Sequence, residues 1–183
     1  MNVHEVSDRR AMGYLATKPT IVVTTLHASG IVNAGVFGAY TNLSAEHIGI
    51  AVHKESHTYA NMRRAGEFVV NVPGADLVKA IAVLADDIPP ERSELDEAGL
   101  TARPGRQVAA PSIAECVAAV EFRFEQEVPV AGHSFMIGRC VGGWIRKDCL
   151  DDDGKINIFA ARVFKDFKYP KPLYVLPGEV IEG

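Results

Sequence analysis

Two stretches decide the architecture: Pro19-Thr20-Ile21-Val22-Val23-Thr24-Thr25 and, after a turn at Ala28-Ser29-Gly30, Asn33-Ala34-Gly35-Val36-Phe37-Gly38-Ala39-Tyr40-Thr41-Asn42. The run from Thr20 to Thr25 is β-branched throughout, which predicts a strand over Thr20–Leu26, and Gly30 turns it into a second strand from about Ile31 to Ala39. Working outward, Ile48–Val52 reads as a third strand. Ser56 is a good N-cap for a helix over His57–Ala65 that Gly66 ends, and Glu67–Val72 is strand again. Asp76–Leu84 carries Leu77, Ile81 and Leu84 at helical spacing. Val117–Val130 and Phe135–Ile145 are long strands joined by an Ala131-Gly132-His133 hairpin, and Lys155–Val163 is expected to add a last strand. Many strands, two or three short helices and no βαβ rhythm predict a mainly β fold, an antiparallel barrel.

The flanks complete a single domain over 1–183. Val3–Leu15 is weakly helical, with Ser7 a possible N-cap, and Lys18-Pro19 ends it. Residues 86–112, rich in proline and glycine, read as an irregular excursion with one small helix around Arg92–Ala98. The tail at 167–183 is extended because Pro170 and Pro172 push the residues before them out of the helical region. With 183 residues, 48% of them apolar, the chain can bury one core. A net charge of −4, with Arg63-Arg64 the densest basic spot, argues against a nucleic-acid partner. No run approaches the ~18 apolar residues of a membrane span, and Met1–Asp8 is too polar for a signal peptide. Cys116, Cys140 and Cys149 form no C-x-x-C pair and read as free thiols in a reducing compartment, hence a cytoplasmic location. No metal site is written: H-E-x-x-H is absent. Asp151-Asp152-Asp153-Gly154 reads as a solvated hairpin turn, since a calcium loop in that register would put Cys149 and Ala160 at ligand positions.

Two segments carry candidate binding chemistry. Lys54, Ser56, Thr58 and Asn61 gather a cation, two hydroxyls and an amide around the amino end of a helix, where free N–H groups favour a phosphate. Ala34, Gly35, Gly38 and Ala39 are small enough to let a flat ring approach main-chain N–H groups. Alone, the first segment reads equally as a capped surface helix and the second as a bulged or tightly packed strand. In this order, one short strand apart, they point to a flavin mononucleotide (FMN) site.

At this point the chain resembles the flavin reductase-like family, whose FMN-binding split barrel includes flavoredoxin. The likeness spans about Thr17–Val175. It rests on Pro19–Thr25, Gly30-x-x-Asn33-Ala34, Ser56-x-Thr58-x-x-Asn61, Phe68-Val69-Val70-Asn71, Ala98-Gly99-Leu100-Thr101, Ala110-Pro111-x-Ile113-x-Glu115 and Gly132-His133-x-x-x-x-Gly138. The resemblance implies a homodimer and ring contacts from the Asn33–Thr41 stretch, that is Asn33, Ala34, Gly35, Val36, Phe37, Gly38, Ala39, Tyr40 and Thr41. It also implies phosphate contacts from Lys54, Ser56, Thr58 and Asn61, and a catalytic role for His133, orienting a nicotinamide or a flavin substrate. Tyr169 and Tyr174 are candidates to cover the ring or the partner chain. The chain departs from the family where a proline pair is replaced by Ala45-Glu46-His47, where an Asp-Lys-Phe-like triplet is replaced by Ser93-Glu94-Leu95, and where Gly132 replaces an acidic residue.

The expected activity is that of an FMN-dependent oxidoreductase taking hydride from NAD(P)H and passing electrons to free flavin, iron or another acceptor. No G-x-G-x-x-G follows a strand, so a nicotinamide would stack on the flavin itself. The alternatives are a flavoredoxin-like electron carrier without a nicotinamide site and a scaffold module that has lost FMN. A pyridoxamine phosphate oxidase-like reading needs a second basic cluster, which the sequence does not show.

Overall fold

Seven strands form one antiparallel sheet in the order β2-β1-β5-β8-β9-β4-β3, seen in a computed structural model that describes residues 19–154, 156–166, 173–179 and 181. In chain order the elements are β1 (Ile21–Leu26), β2 (Val32–Phe37), β3 (Tyr40–Asn42), β4 (His47–His53), α1 (His57–Ala65), β5 (Glu67–Val72), α2 (Val78–Leu84, entered through a 3-10 turn at Ala75–Leu77) and α3 (Glu94–Glu97). They continue with β6 (Ala102–Arg103), β7 (Ser112–Ile113), β8 (Ala118–Val130), β9 (His133–Ile145), a 3-10 turn at Lys147–Cys149, β10 (Lys165–Asp166) and β11 (Tyr174–Val175). β2 and β3 lie at opposite edges of the sheet, yet only Gly38 and Ala39 separate them. Three Cα steps of 3.8 Å reach at most ~11 Å, so the sheet has to curl until its two edges nearly meet. The result is a barrel left open along one seam, the expected split barrel.

β1 explains the opening sequence stretch. Ile21 and Val23 point into a core with Ile50, Met62, Phe68, Phe122 and Met136. Val22 points the other way, into a second core with Ile81, Leu84, Leu95, Ile113 and Phe164. A strand covered on both faces needs a continuous apolar run rather than alternation. In the first core Phe68 stacks on Phe122 at 5.2 Å, and a Cβ at Gly138 would lie 2.5 Å from Phe68 Cζ. Because Phe68 is fully buried and cannot swing away, Gly138→Ala is expected to cost ~1–3 kcal/mol. Gly132→Ala, where the nearest atom is 3.8 Å away, should be neutral; urea midpoints of the two variants check the contrast.

The excursion at 86–112 is ordered by acceptors on the sheet. Glu67 accepts from the N–H groups of Ala109 (2.6 Å) and Ala110 (3.1 Å), and Glu121 from those of Arg106 (3.0 Å) and Gln107 (2.6 Å). The Asn71 Oδ1 accepts from Ile113 at 2.8 Å. These bonds satisfy donors that no ladder reaches.

The helix over His57–Ala65 lies where the sequence places it, with Ser56 as N-cap and Gly66 left-handed at φ 70°. The strand expected over Lys155–Val163 is not formed. Among its described residues only Ile156 and Val163 make isolated bridges, to Leu150 and Gly74, and Asn157 Oδ1 instead accepts from the N–H groups of Phe159 and Ala160. This side-chain turn competes with the ladder. Asp151–Gly154 forms a tight turn, with Gly154 N–H donating to Asp151 O at 3.0 Å. Cys116 and Cys149 are buried and Cys140 exposed, all three free. Among the described residues no helix is long and apolar enough to cross a membrane. The expected helix at Val3–Leu15 and the tail segment 167–172, with Tyr169, lie outside the described residues; Tyr174 packs edge-on against Phe164.

Candidate flavin site

A cleft of about 300 Å³ opens between β2, the start of α1 and the end of α2. Its lining brings together Asn33, Ala34, Gly35, Val36, Phe37, Ser56 and Thr58 with His53, Glu55, His57, Leu84, Asp86, Asp87, Ile88 and Glu94. One wall is a sheet edge. The Ala34 N–H turns away from β1 and donates to the Glu94 carboxylate, and because an antiparallel strand alternates its donors, Val36 turns its N–H outward as well. A Cβ at Gly35 would lie 2.9 Å from Thr58 Oγ1 and 2.8 Å from the Phe37 ring, so glycine keeps this wall flat.

The opposite wall is the amino end of α1. Ser56 Oγ accepts from Tyr59 N–H at 3.2 Å and donates to His53 O at 2.7 Å. Its hydroxyl proton is thus already committed to the His53 carbonyl. The N–H groups of His57 and Thr58 have no intrahelical acceptor. No acidic residue sits in the first turn, although Glu55, just ahead of the N-cap, lines the cleft. Thr58 is buried, and its hydroxyl accepts from Asn33 Nδ2 at 3.0 Å, which frees its own proton to be donated.

The remaining candidate residues fall elsewhere. Gly38 and Ala39 are exposed between β2 and β3. Tyr40 lines a different, apolar groove with Ile21, Ile48, Val70, Val120 and Phe122, and Thr41, next on β3, is not in the cleft lining. Lys54 Nζ donates to Ala131 O at 2.9 Å, tying β4 to the β8–β9 turn. Asn61 is buried and its amide donates to Thr25 Oγ1 at 3.1 Å, docking α1 on β1. His133 is opposite His53 across the β4–β9 pair, rings edge to face at 5.0 Å, and only His53 lines the cleft. His57 meets His27 edge-on, also at 5.0 Å. Burial first, then the His57 and Arg64 charges, pushes His27 below the usual imidazole range.

Glu94, His53, His57, Asp86 and Asp87 were not among the sequence candidates. Of these, only Glu94 carries a signal in the sequence, as the anion in Ser93-Glu94-Leu95 where the resemblance implies an Asp-Lys-Phe-like triplet. It is 8% exposed. Burial, reinforced by Asp87 and opposed by the Ala34 hydrogen bond, raises its carboxyl to about 7.

Residues 12–168 match the family described as flavin reductase like domain. The chain belongs to the flavin reductase-like family. An uncharacterized protein of Halalkalibacterium halodurans is 36% identical over 159 residues, which cover 80% of this chain and 76% of that protein. Among solved structures, nitrilotriacetate monooxygenase component B from Bacillus cereus superposes with a TM-score of 0.86 at 22% identity, over 100% of this chain and 96% of that one. An FMN-binding protein from Thermus thermophilus, with bound 1-cyclohex-2-enone, gives 0.82 at 19% identity, over 100% and 99%. Both share the split barrel. Membership in the flavin reductase-like family makes this a protein of flavin-linked redox chemistry.

Proposed function

We propose that the cleft binds FMN and that the protein is an NAD(P)H-dependent oxidoreductase passing electrons to free flavin, iron or another acceptor. One observation carries this reading: the outward amides of an edge strand face the free N–H groups of a helix across a cleft of about 300 Å³. The residues fit the group. His57 N–H, Thr58 N–H and the Thr58 hydroxyl would hold the phosphate, with Asn33 fixing that hydroxyl. Ala34, Gly35 and Val36 would receive the ring. Asn61 and Lys54 act as positioning residues, one holding α1 on β1 and the other holding the turn that carries His133. FMN, when bound, accepts hydride and passes electrons on. His53, at the end of β4, lines the cleft, and His133, at the start of β9, meets it edge-on; the pair would orient a nicotinamide. The apolar groove around Tyr40, with exposed Ile158 and Phe159 nearby, supports a homodimer, and the absence of a long apolar helix among the described residues is compatible with a cytoplasmic setting.

The acidic lining at Glu55, Asp86, Asp87 and Glu94 favours a second reading, an electron carrier without a nicotinamide site, since those charges oppose a nucleotide pyrophosphate. Anaerobic mixing of FMN-loaded protein with NADH or NADPH separates the two: bleaching of the flavin supports the oxidoreductase, unchanged absorbance the carrier. Gly35→Val is expected to weaken FMN binding at least about ten-fold, equivalent to ~1.4 kcal/mol, because the added side chain meets Thr58. Fluorescence titration reads it, and an affinity equal to the wild type would place the flavin elsewhere.

A further inference from the structure

Ala34 N–H is the amide that a ring lying on β2 would need, and in this structure the chain supplies its own acceptor for it, the Glu94 carboxylate. Glu94 is held there firmly. It opens α3, where Ser93 Oγ caps by accepting from Asp96 N–H at 3.3 Å, and the next residue, Leu95, is 1% exposed in the second core. Among the described residues no cation pairs with the carboxylate: it accepts from Ala34 N–H, and Arg92, just ahead of α3, is paired with Glu97 at 2.5 Å. The other titratable groups of the cleft are His53 at the end of β4, Glu55 and His57 at the start of α1, and Asp86 and Asp87 after α2. Glu91, Asp96 and Glu97 flank Glu94 on its own segment.

We propose that Glu94 is a specificity-determining residue of this cleft: it competes with the ligand for the Ala34 N–H and places a negative charge beside the ring, so that the cleft selects a neutral ring over an anionic one. This inference rests on the reading of the cleft as a flavin site. Hydride addition to a flavin brings two electrons and one proton and leaves the ring with one negative charge near neutral pH. A buried carboxylate beside it opposes that charge more strongly than it would in water. The neutral oxidised ring faces only the competition for the amide, which is strongest when the carboxylate is ionised, because a charged acceptor makes the stronger hydrogen bond. The raised carboxyl places that change within the neutral range.

Riboflavin, which lacks the phosphate, isolates the ring from His53, His57 and the helix end. At pH 8.5 the wild type is expected to bind anaerobically reduced riboflavin at least about ten-fold more weakly than oxidised riboflavin, which for a two-electron couple corresponds to ~30 mV. In Glu94→Gln, which keeps an acceptor for Ala34 and removes the charge, the ratio should fall below about three-fold, and Glu94→Asp should restore part of it. The wild type alone gives a second reading: its affinity for oxidised riboflavin should fall several-fold from pH 5.5 to 8.5. A Glu94→Gln ratio equal to the wild type's, or a wild-type affinity flat over that range, overturns the assignment of Glu94 while leaving the flavin site standing. Failure of both riboflavin and FMN to bind any of these proteins overturns the site and this inference together.

Discussion

Glu94→Gln is expected to gain stability over the wild type as pH rises, by up to roughly 3 kcal/mol between pH 4 and pH 8. In the ligand-free fold the Glu94 carboxyl is raised from 4.5 to about 7, so between those values the native state holds a proton that the unfolded chain has released. Stability therefore falls with increasing pH across that window and is flat above it. At ~1.36 kcal/mol per pH unit, the interval between the two values sets the upper bound. Glutamine is nearly isosteric, keeps an acceptor for the Ala34 N–H and does not titrate. Urea unfolding of both proteins at pH 4, 6 and 8 measures the difference. Parallel pH profiles for wild type and variant would show that the Glu94 carboxyl titrates in the fold as it does in the unfolded chain.

The second large effect is structural. Asn71→Ala should cost about 3 kcal/mol, with a lowered urea midpoint and an unchanged slope. The Asn71 amide donates to Val22 O (3.2 Å) and Thr24 Oγ1 (3.0 Å) while its Oδ1 accepts from Ile113 N–H (2.8 Å), and Asn71 is fully buried. Truncation leaves the buried Ile113 N–H without its acceptor, at ~1–3 kcal/mol for a group that finds no new partner, and takes one bond each from the Val22 carbonyl and the Thr24 hydroxyl. Thr24 keeps one bond, to Pro111 O at 2.5 Å, and part of the loss will be relieved by water. Asn71 and Thr24 thus hold the 86–112 excursion onto β1 and β5, and the excursion carries Asp86, Asp87 and Glu94 of the cleft lining. Loss of Asn71 is accordingly expected to loosen flavin binding as well, which the same fluorescence titration reads.

Comparison of α1 with the final expected strand shows what local signals carry. Ser56 and Gly66 bound a helix whose cap geometry is satisfied within a few residues, so the element is legible from its own sequence. Lys155–Val163 also looked like a strand, but Asn157 offers its own turn, and a strand exists only if a neighbour is there to pair. The second strand, expected to run to Ala39, stops at Phe37, and β3 at Tyr40–Asn42 is not in the sequence reading, for a related reason. Gly38-Ala39 reads as the end of a strand in one dimension, whereas it links segments that belong to opposite edges of the sheet. In the site, Ser56, Thr58 and the Asn33–Phe37 stretch gather in the cleft, while Asn61 and Lys54 turn their polar groups to Thr25 and Ala131. Which face of a short helix meets a ligand depends on the strands it lies against.

By itself the sequence determined what is local: a doubly buried first strand, a capped helix with a donor-rich start, a flat glycine edge, a long hairpin and, through its motifs, the flavin reductase-like family. Only the tertiary structure decided which of those donors remain free. Asn33 lies 25 residues from the Thr58 it serves and Ala34 lies 60 from Glu94, and such pairs are made by the curl of the sheet and the return of the excursion across its edge. Residue types and short spacings encode propensity and capping, whereas the charge and hydrogen-bonding state of a cleft are set by groups that meet only after the chain has closed on itself.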